Sequence, residues 1–393
     1  MANMLSYLDW RGDLTFEQSL FNEVDNLILS QMCYAPFERI LDRSWYKNAT
    51  GTRRYVAKLE LVMPLIEVAD RYFSLYSVKR QQNMESQQIR ATKVMEKMAQ
   101  SKRFCDCKVG YYFSQTDLKE EKQFAAVTVD LGTDAVYVAY RGTDNTLVGW
   151  KEDFNMSYES HVQAQKDALT YFELIAKEYP EKKFFLGGHS KGGNLAVYAA
   201  VMCSRELKER IIRVYNNDGP GFRKDIIESE QYRQILPKVR TIVPESSIVG
   251  MLFGHQEEYT IVRSSQTGGM QHDATSWEVM GRHFIYLEQL SEESRKLDAT
   301  ITAWLSDLTA EQMKAAVDAI FSVLMTAGFS TVSAIQKEPL KNSVALIREM
   351  KHLDAETKKN ITTVVTALVK EGNRAMRKVI PGPAETEEEG QIS

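Results

Sequence analysis

The sequence predicts an α/β fold with a mainly parallel sheet, and three observations carry that expectation. β-rich runs alternate with helical stretches between about residues 124 and 264, the pattern of strand, crossover helix and parallel strand. The helical stretches keep a 3.6-residue period: Ala168, Phe172, Ile175, Ala176 and Tyr179 form one stripe that Pro180 closes. Residues 184–200, FFLGGHSKGGNLAVYAA, pass from an apolar strand through a glycine-flanked serine into an apolar helix.

Taken in order, residues 13–34 predict an opening helix, with Asp13 and Thr15 as caps and Leu20, Val24, Leu27, Ile28 and Gln31 at helical spacing. Residues 55–100 are again helical, broken at Pro64 and over the polar run 79–88. The sheet begins at or just before 125–130 and 135–143, two β-rich runs joined by Leu131, Gly132, Thr133 and Asp134. After the strand at 184 come further strands at 211–216, 239–243 and 259–264. Beyond residue 291 no β-rich run remains; 308–327 and 343–372 predict helices, the first capped at Thr309. The apolar window 319–336 carries Ser322, Thr326, Ser330, Thr331 and Ser333, which suits a buried or interfacial helix better than a bilayer span. These shifts divide the chain into a helical N-terminal region (1–100) packed on the core, an α/β core (101–290), a C-terminal helical region (291–380) and a disordered acidic tail (381–393).

Composition narrows the partners. With 44% hydrophobic and 26% charged residues the chain is expected to fold. A net charge of −4, without a Lys/Arg block, gives no footprint for nucleic acid. The first residues carry Asp9 and lack a continuous apolar core, so no secretory signal is read and the cytoplasm is the expected compartment. Cys33, Cys105, Cys107 and Cys203 form neither a disulfide framework nor a zinc set, which fits reduced thiols, and no spacing implies a metal or organic cofactor.

Gly188, His189, Ser190, Lys191 and Gly192 make a GxSxG pentapeptide. An ordinary glycine-rich loop can match the same pattern, but here a strand precedes it and a helix follows. That is the context of a nucleophile elbow, and it points to the α/β-hydrolase fold. A serine hydroxyl is a weak nucleophile at neutral pH and needs an imidazole, itself oriented by a carboxylate. The chain order serine, acid, histidine of this fold excludes His161, and His189, next to the serine, is expected to point elsewhere. Of His255, His272, His283 and His352, His272 is favoured because its loop, SSQTGGMQHD, follows the last strand; His255 is the alternative. His283, in the run HFIYLEQL, reads as a satisfied helix histidine. Two carboxylates follow strands between serine and histidine: Asp218 in NNDGPGF and Glu245 in TIVPESS. Topology leaves both open, with Asp218 preferred as the commoner residue type. An oxyanion hole would combine the Lys191 backbone N–H with Thr143, which ends a strand in YRGTD.

Together, residues 124–273 resemble the class 3, fungal-type triacylglycerol lipases. The resemblance implies that Thr143 carries the oxyanion-hole hydroxyl, that Ser190 is the nucleophile, and that 146–153, with Trp150 and Asp153, corresponds to the lid helix. Trp150, with Leu147, Val148 and Phe154, then forms an apolar flap, unless it only packs. The sequence VPESSIVGML departs from the family by placing Glu245 or Ser247 where an aspartate is usual. Over its whole length the chain is similar to an uncharacterised bacterial, chiefly Gram-positive, lipase-like family designated only as a domain of unknown function. The expected function is therefore a serine hydrolase cleaving a carboxylic ester or thioester, a lipid ester included, through an acyl-enzyme. The alternative is a catalytically inactive α/β-hydrolase fold used for binding. The expected partner is a small-molecule ester, and the C-terminal helices allow transient contact with a membrane surface.

Overall fold

The computed structural model describes residues 2–38, 40–41, 46–47, 53–54, 62–76, 84–144, 146–292, 294–295 and 309–326. The chain divides into two units, 1–317 and 318–393. Helix α1 (Met4–Arg11) starts at Asn3, whose Oδ1 accepts the Leu5 and Ser6 amides. Helix α2 (Glu23–Met32) starts at Asn22 in a capping box with Asp25. This corrects the single helix expected over 13–34. The Asn22 box satisfies two end amides reciprocally, a stronger start than Asp13 or Thr15, and the turns before it leave Leu20 75% exposed. A two-residue ribbon pairs β1 (Tyr46–Lys47) with β2 (Arg53–Arg54). Strand β3 (Met63–Pro64) leads into α3 (Leu65–Leu75) and then α4 (Ser86–Ala99), so Pro64 lies where a helix start needs no amide.

The strands that follow are β4 (Lys108–Asp117), β5 (Lys122–Asp130), β6 (Ala135–Tyr140), β7 (Lys183–His189), β8 (Ile211–Asn217), β9 (Val239–Pro244) and β10 (Tyr259–Val262). Between β6 and β7 run α5 (Leu147–Asn155) and α6 (Gln163–Glu178); between β7 and β8, α7 (Lys191–Met202) and α8 (Arg205–Arg210); between β8 and β9, α9 (Lys224–Ile227) and α10 (Glu230–Ile235). Strands β11 (Val279–Met280) and β12 (His283–Phe284) pair apart from the main sheet, and β13 (Tyr286–Leu287) closes its edge beside β10. The nine-stranded order is β13-β10-β9-β8-β7-β6-β5-β4-β3. Neighbours from β6 through β10 are parallel, and the flanking pairs are antiparallel. His283 therefore sits on a short strand, not the expected helix. Its apolar run is too short for periodicity to decide between the two.

Period-2 alternation assigns the two faces. Val127, Val129, Tyr137 and Ala139 pack with Leu27, Ile28 and Met98 from the N-terminal helices. Val136, Val138, Tyr140 and Leu186 pack with Phe172, Leu195 and Ala199 of α6 and α7. The N-terminal layer is pinned by polar contacts as well: Asn26 Nδ2 donates to Asn217 Oδ1 at 2.9 Å, and a fully buried Arg103–Asp25 pair ties α2 to the preceding turns. A parallel sheet covered by helices on both faces, with a strand–serine–helix elbow on its central strand, is the α/β-hydrolase fold. Helix α11 (Ala310–Thr326) begins at Thr309, whose Oγ1 accepts the Gln312 amide at 3.2 Å. Among the described residues no helix is long and apolar enough to cross a membrane. The expected helix at 343–372 and the acidic tail lie outside the described residues.

Candidate active site

Ser190 takes φ 57° and ψ −134°, a left-handed conformation rare for a side chain-bearing residue. Such strain costs about 1–3 kcal/mol and concentrates at functional sites. The surrounding bonds hold it: Ser190 N–H donates to Asn217 O at 2.9 Å, and Gly193 N–H donates to Ser190 O at 2.8 Å. The glycines are required by contact. A Cβ on Gly188 would lie 2.3 Å from the Gly192 carbonyl carbon, and one on Gly192 would lie 2.2 Å from Tyr140 O. Helix α7 approaches strands β7 and β6 too closely there for any side chain.

Asp218 follows β8, also at positive φ (53°), and is fully buried. Its Oδ2 lies 2.6 Å from His272 Nδ1, whereas the backbone of Glu245 is engaged by Val262 and Ser291 and its carboxylate has no bond to the ring. The other oxygen, Oδ1, accepts the Ser247 hydroxyl at 2.5 Å and the Gly250 amide at 3.2 Å. Ser247, in the turn after β9, thus supports the carboxylate that comes from the preceding strand. A ring that donates Nδ1–H to Asp218 keeps Nε2 free when neutral. The described contacts include no hydrogen bond between Ser190 Oγ and His272.

His189 does not point away from the site. Its Nε2 lies 2.7 Å from the His272 carbonyl oxygen and the two rings are 4.6 Å apart, while the Tyr34 hydroxyl lies 3.2 Å from its Nδ1. Burial, then the neighbouring His272, hold its pKa well below the ordinary histidine range, so the ring is neutral. A neutral ring that donates Nε2–H to a carbonyl must accept at Nδ1, which sets Tyr34 as the donor. Adjacency to the serine was the only sequence signal for His189, and for Ser247 it was a place near the aspartate position of the lipase pattern; Tyr34 had none. Of the other histidines, His161 stacks edge-on with Tyr198, His255 pairs with Glu257, His283 is half exposed, and His352 lies outside the described residues.

The loop after β6 abuts the elbow: a Cβ on Gly142 would lie 2.5 Å from His189 O and 3.1 Å from Ser190 Cβ. Thr143 is next to this contact, but its hydroxyl donates to Asp153 Oδ2 at 2.5 Å, leaving its backbone N–H as the donor not committed there. The Lys191 side chain is fully buried; Nζ donates to Gln123 O and Glu152 Oε2, both at 3.0 Å, and lies 3.6 Å from Asp153 Oδ1. Burial raises Asp153 to about 6, against the opposing pull of Lys191 and Thr143. Trp150 sits half-buried on α5, whose Leu147 and Val148 are buried.

The model of one protein family, described as Mbeg1-like, matches residues 98–322, more than half of the chain and all of the serine, aspartate and histidine elements above. The chain belongs to the Mbeg1-like family. The N-terminal helices through most of α4 precede the Mbeg1-like match. No curated protein matches the chain. Solved structures that resemble it include a fungal lipase–inhibitor complex (15% identity, 54% of this chain and 83% of the other, TM-score 0.33). Lipase II from Rhizopus niveus (14%, 51% and 83%, 0.32) and a further fungal lipase (10%, 69% and 87%, 0.34) are similar to a like degree.

Proposed function

We propose that this chain is a serine hydrolase acting on a carboxylic ester or thioester. Ser190 is the nucleophile, His272 the base, Asp218 the orienting acid, and the backbone N–H groups of Lys191 and Thr143 the oxyanion donors. The observation that carries the reading is the 2.6 Å Asp218–His272 contact beside a serine held at positive φ. In the reaction Ser190 Oγ attacks the acyl carbon as His272 Nε2 takes its proton. The tetrahedral oxyanion collapses, the C–O or C–S bond breaks, and the departing alcohol or thiol receives that proton. Water, deprotonated by the same nitrogen, then releases the acid and restores the serine. Hydrogen bonds of this kind are often loose without substrate and tighten in the Michaelis complex, so a Ser190 Oγ not bonded to His272 is compatible with the role. Four free thiols fit a reducing compartment such as the cytoplasm.

The test is labelling by a fluorophosphonate probe: wild-type protein labels and Ser190→Ala does not. Folded wild-type protein that never labels would sink the reading. A second reading, an inactive fold used for binding, draws on the Thr143 hydroxyl committed to Asp153. Under it, Ser190→Ala leaves cellular function unchanged.

A further inference from the structure

Helix α5, the segment expected as a flap, is tied down at several points. Glu152 accepts Lys191 Nζ and the Gln123 amide on Oε2, and the Ala164 amide at the start of α6 on Oε1. The side chains of Lys191 and Glu152 are 0% and 1% exposed. Asp153 accepts Thr143, and at the outer side Lys151 and Asn155 bind the two oxygens of Glu121, at 2.6 and 3.0 Å. Gly149 is seated so closely that a Cβ there would lie 2.9 Å from Thr143 Cγ2. Lifting α5 would pull Glu152 from Lys191 and strand an ammonium in a buried site, the outcome that makes breaking a buried pair costly. Lys191 is also the first residue of the elbow helix, so the clamp joins α5 to the backbone that holds Ser190.

The surface agrees. Among the described residues, the exposed large apolar side chains, such as Leu20, Leu118, Met280 and Tyr286, include none from α5 or from the Asp218, Met251 and His272 loops. Trp150 and Phe154 of α5, and Met251, Leu252 and Phe253 beyond β9, are only partly exposed, so they offer less surface for seating on lipid than a row of exposed side chains would.

We infer that α5 is a fixed wall locked to the elbow by Lys191, and that the substrate is a molecularly dissolved ester or thioester, not one drawn from a lipid surface. The substrate part rests on the hydrolase reading above; the lock does not.

The test pairs an exchange measurement with a kinetic one on the full chain. Hydrogen exchange of the α5 amides should agree within about twofold with and without phosphatidylcholine vesicles. Hydrolysis of p-nitrophenyl esters of rising chain length should follow dissolved concentration, with no upward break at the solubility limit. A several-fold jump in rate at that limit, or vesicle-accelerated exchange in α5, overturns the inference while leaving the hydrolase reading intact. Protected α5 with no turnover of any ester keeps the lock but removes the substrate assignment together with the hydrolase reading. Lys191→Met should speed α5 exchange about tenfold or more. If that variant fails to fold, Lys191→Met with Glu152→Gln removes both charges and should act in the same direction. Unchanged exchange in either folded variant refutes the role of Lys191.

Discussion

Among the described residues, His272 and His255 each hydrogen-bond a carboxylate through Nδ1, and only His272 faces the elbow. His272 Nδ1 is 2.6 Å from Asp218 Oδ2, and His255 Nδ1 is 3.1 Å from Glu257 Oε1; both carboxylates are buried. The rings differ. The His272 side chain is 31% exposed beside the elbow, whereas that of His255 is 6% exposed and its Nε2 is buried without a partner. A Cβ on Gly221 would come within 2.9 Å of that nitrogen, so backbone walls it in. Glu257 also accepts the hydroxyls of Tyr232 on α10 and Thr241 on β9, which makes its pair a brace between helix and sheet. A hydrogen-bonded carboxylate orients an imidazole in both places. Chemistry further requires the opposite nitrogen to be open beside a nucleophile.

The largest effect should separate the two pairs outright. Asp218→Asn is expected to slow ester hydrolysis and probe labelling by about 10⁴-fold, because the imidazolium loses its counter-charge and the ring its tautomer. Glu257→Gln should leave both rates within about twofold. Equal losses from the two substitutions would erase the distinction.

Ser247→Ala sharpens the comparison from the acid side. It removes one of two hydrogen bonds to Asp218 Oδ1, an interaction with a charged acceptor worth about 1.5 kcal/mol, or roughly tenfold in kcat. KM should not move, and a change confined to KM would assign Ser247 to substrate contact instead.

The smallest effect concerns stability and belongs to the bracing pair. Burial works against the Glu257 charge, but the hydrogen bond and charge of His255, with Thr241 and Tyr232, hold its pKa down at about 2. A carboxylate whose folded-state pKa lies below its unfolded value, near 4.5, stabilises the fold above that value and loses the contribution as pH falls towards 2. Urea unfolding of wild type and Glu257→Gln should therefore differ by about 1–3 kcal/mol at pH 7. The gap should narrow below pH 4.5. A gap that stays constant to pH 3 would mean that the carboxylate charge contributes nothing.

Much of the framework was legible because its causes are local. Gly188 is demanded by a backbone contact with Gly192 inside the motif, and the alternation in β5 and β6 sorts residues between two faces whatever covers them, whereas the contact that demands Gly192 comes from Tyr140 on β6. Where local signals compete, the sequence misleads: Asn22 outcompetes Asp13 and Thr15 as a helix start, and the run at His283 is short enough to suit either period. The site itself was legible only as a set of candidates. Asp218 and Glu245 both end strands, His255 and His272 both follow them, and nothing in the spacing tells which pair will meet.

By itself, then, the sequence determined a strand–serine–helix turn and the alternation that builds a parallel sheet, since glycine sterics and side-chain periodicity act over a few residues. The tertiary structure decided the partnerships. Asp218 reaches His272 across 54 positions, and Lys191 reaches Glu152 across 39, because the loops after β8 and β10, and helix α5, converge at one end of the sheet. Such convergence is set by how strands order and twist in space, and no local pattern records it.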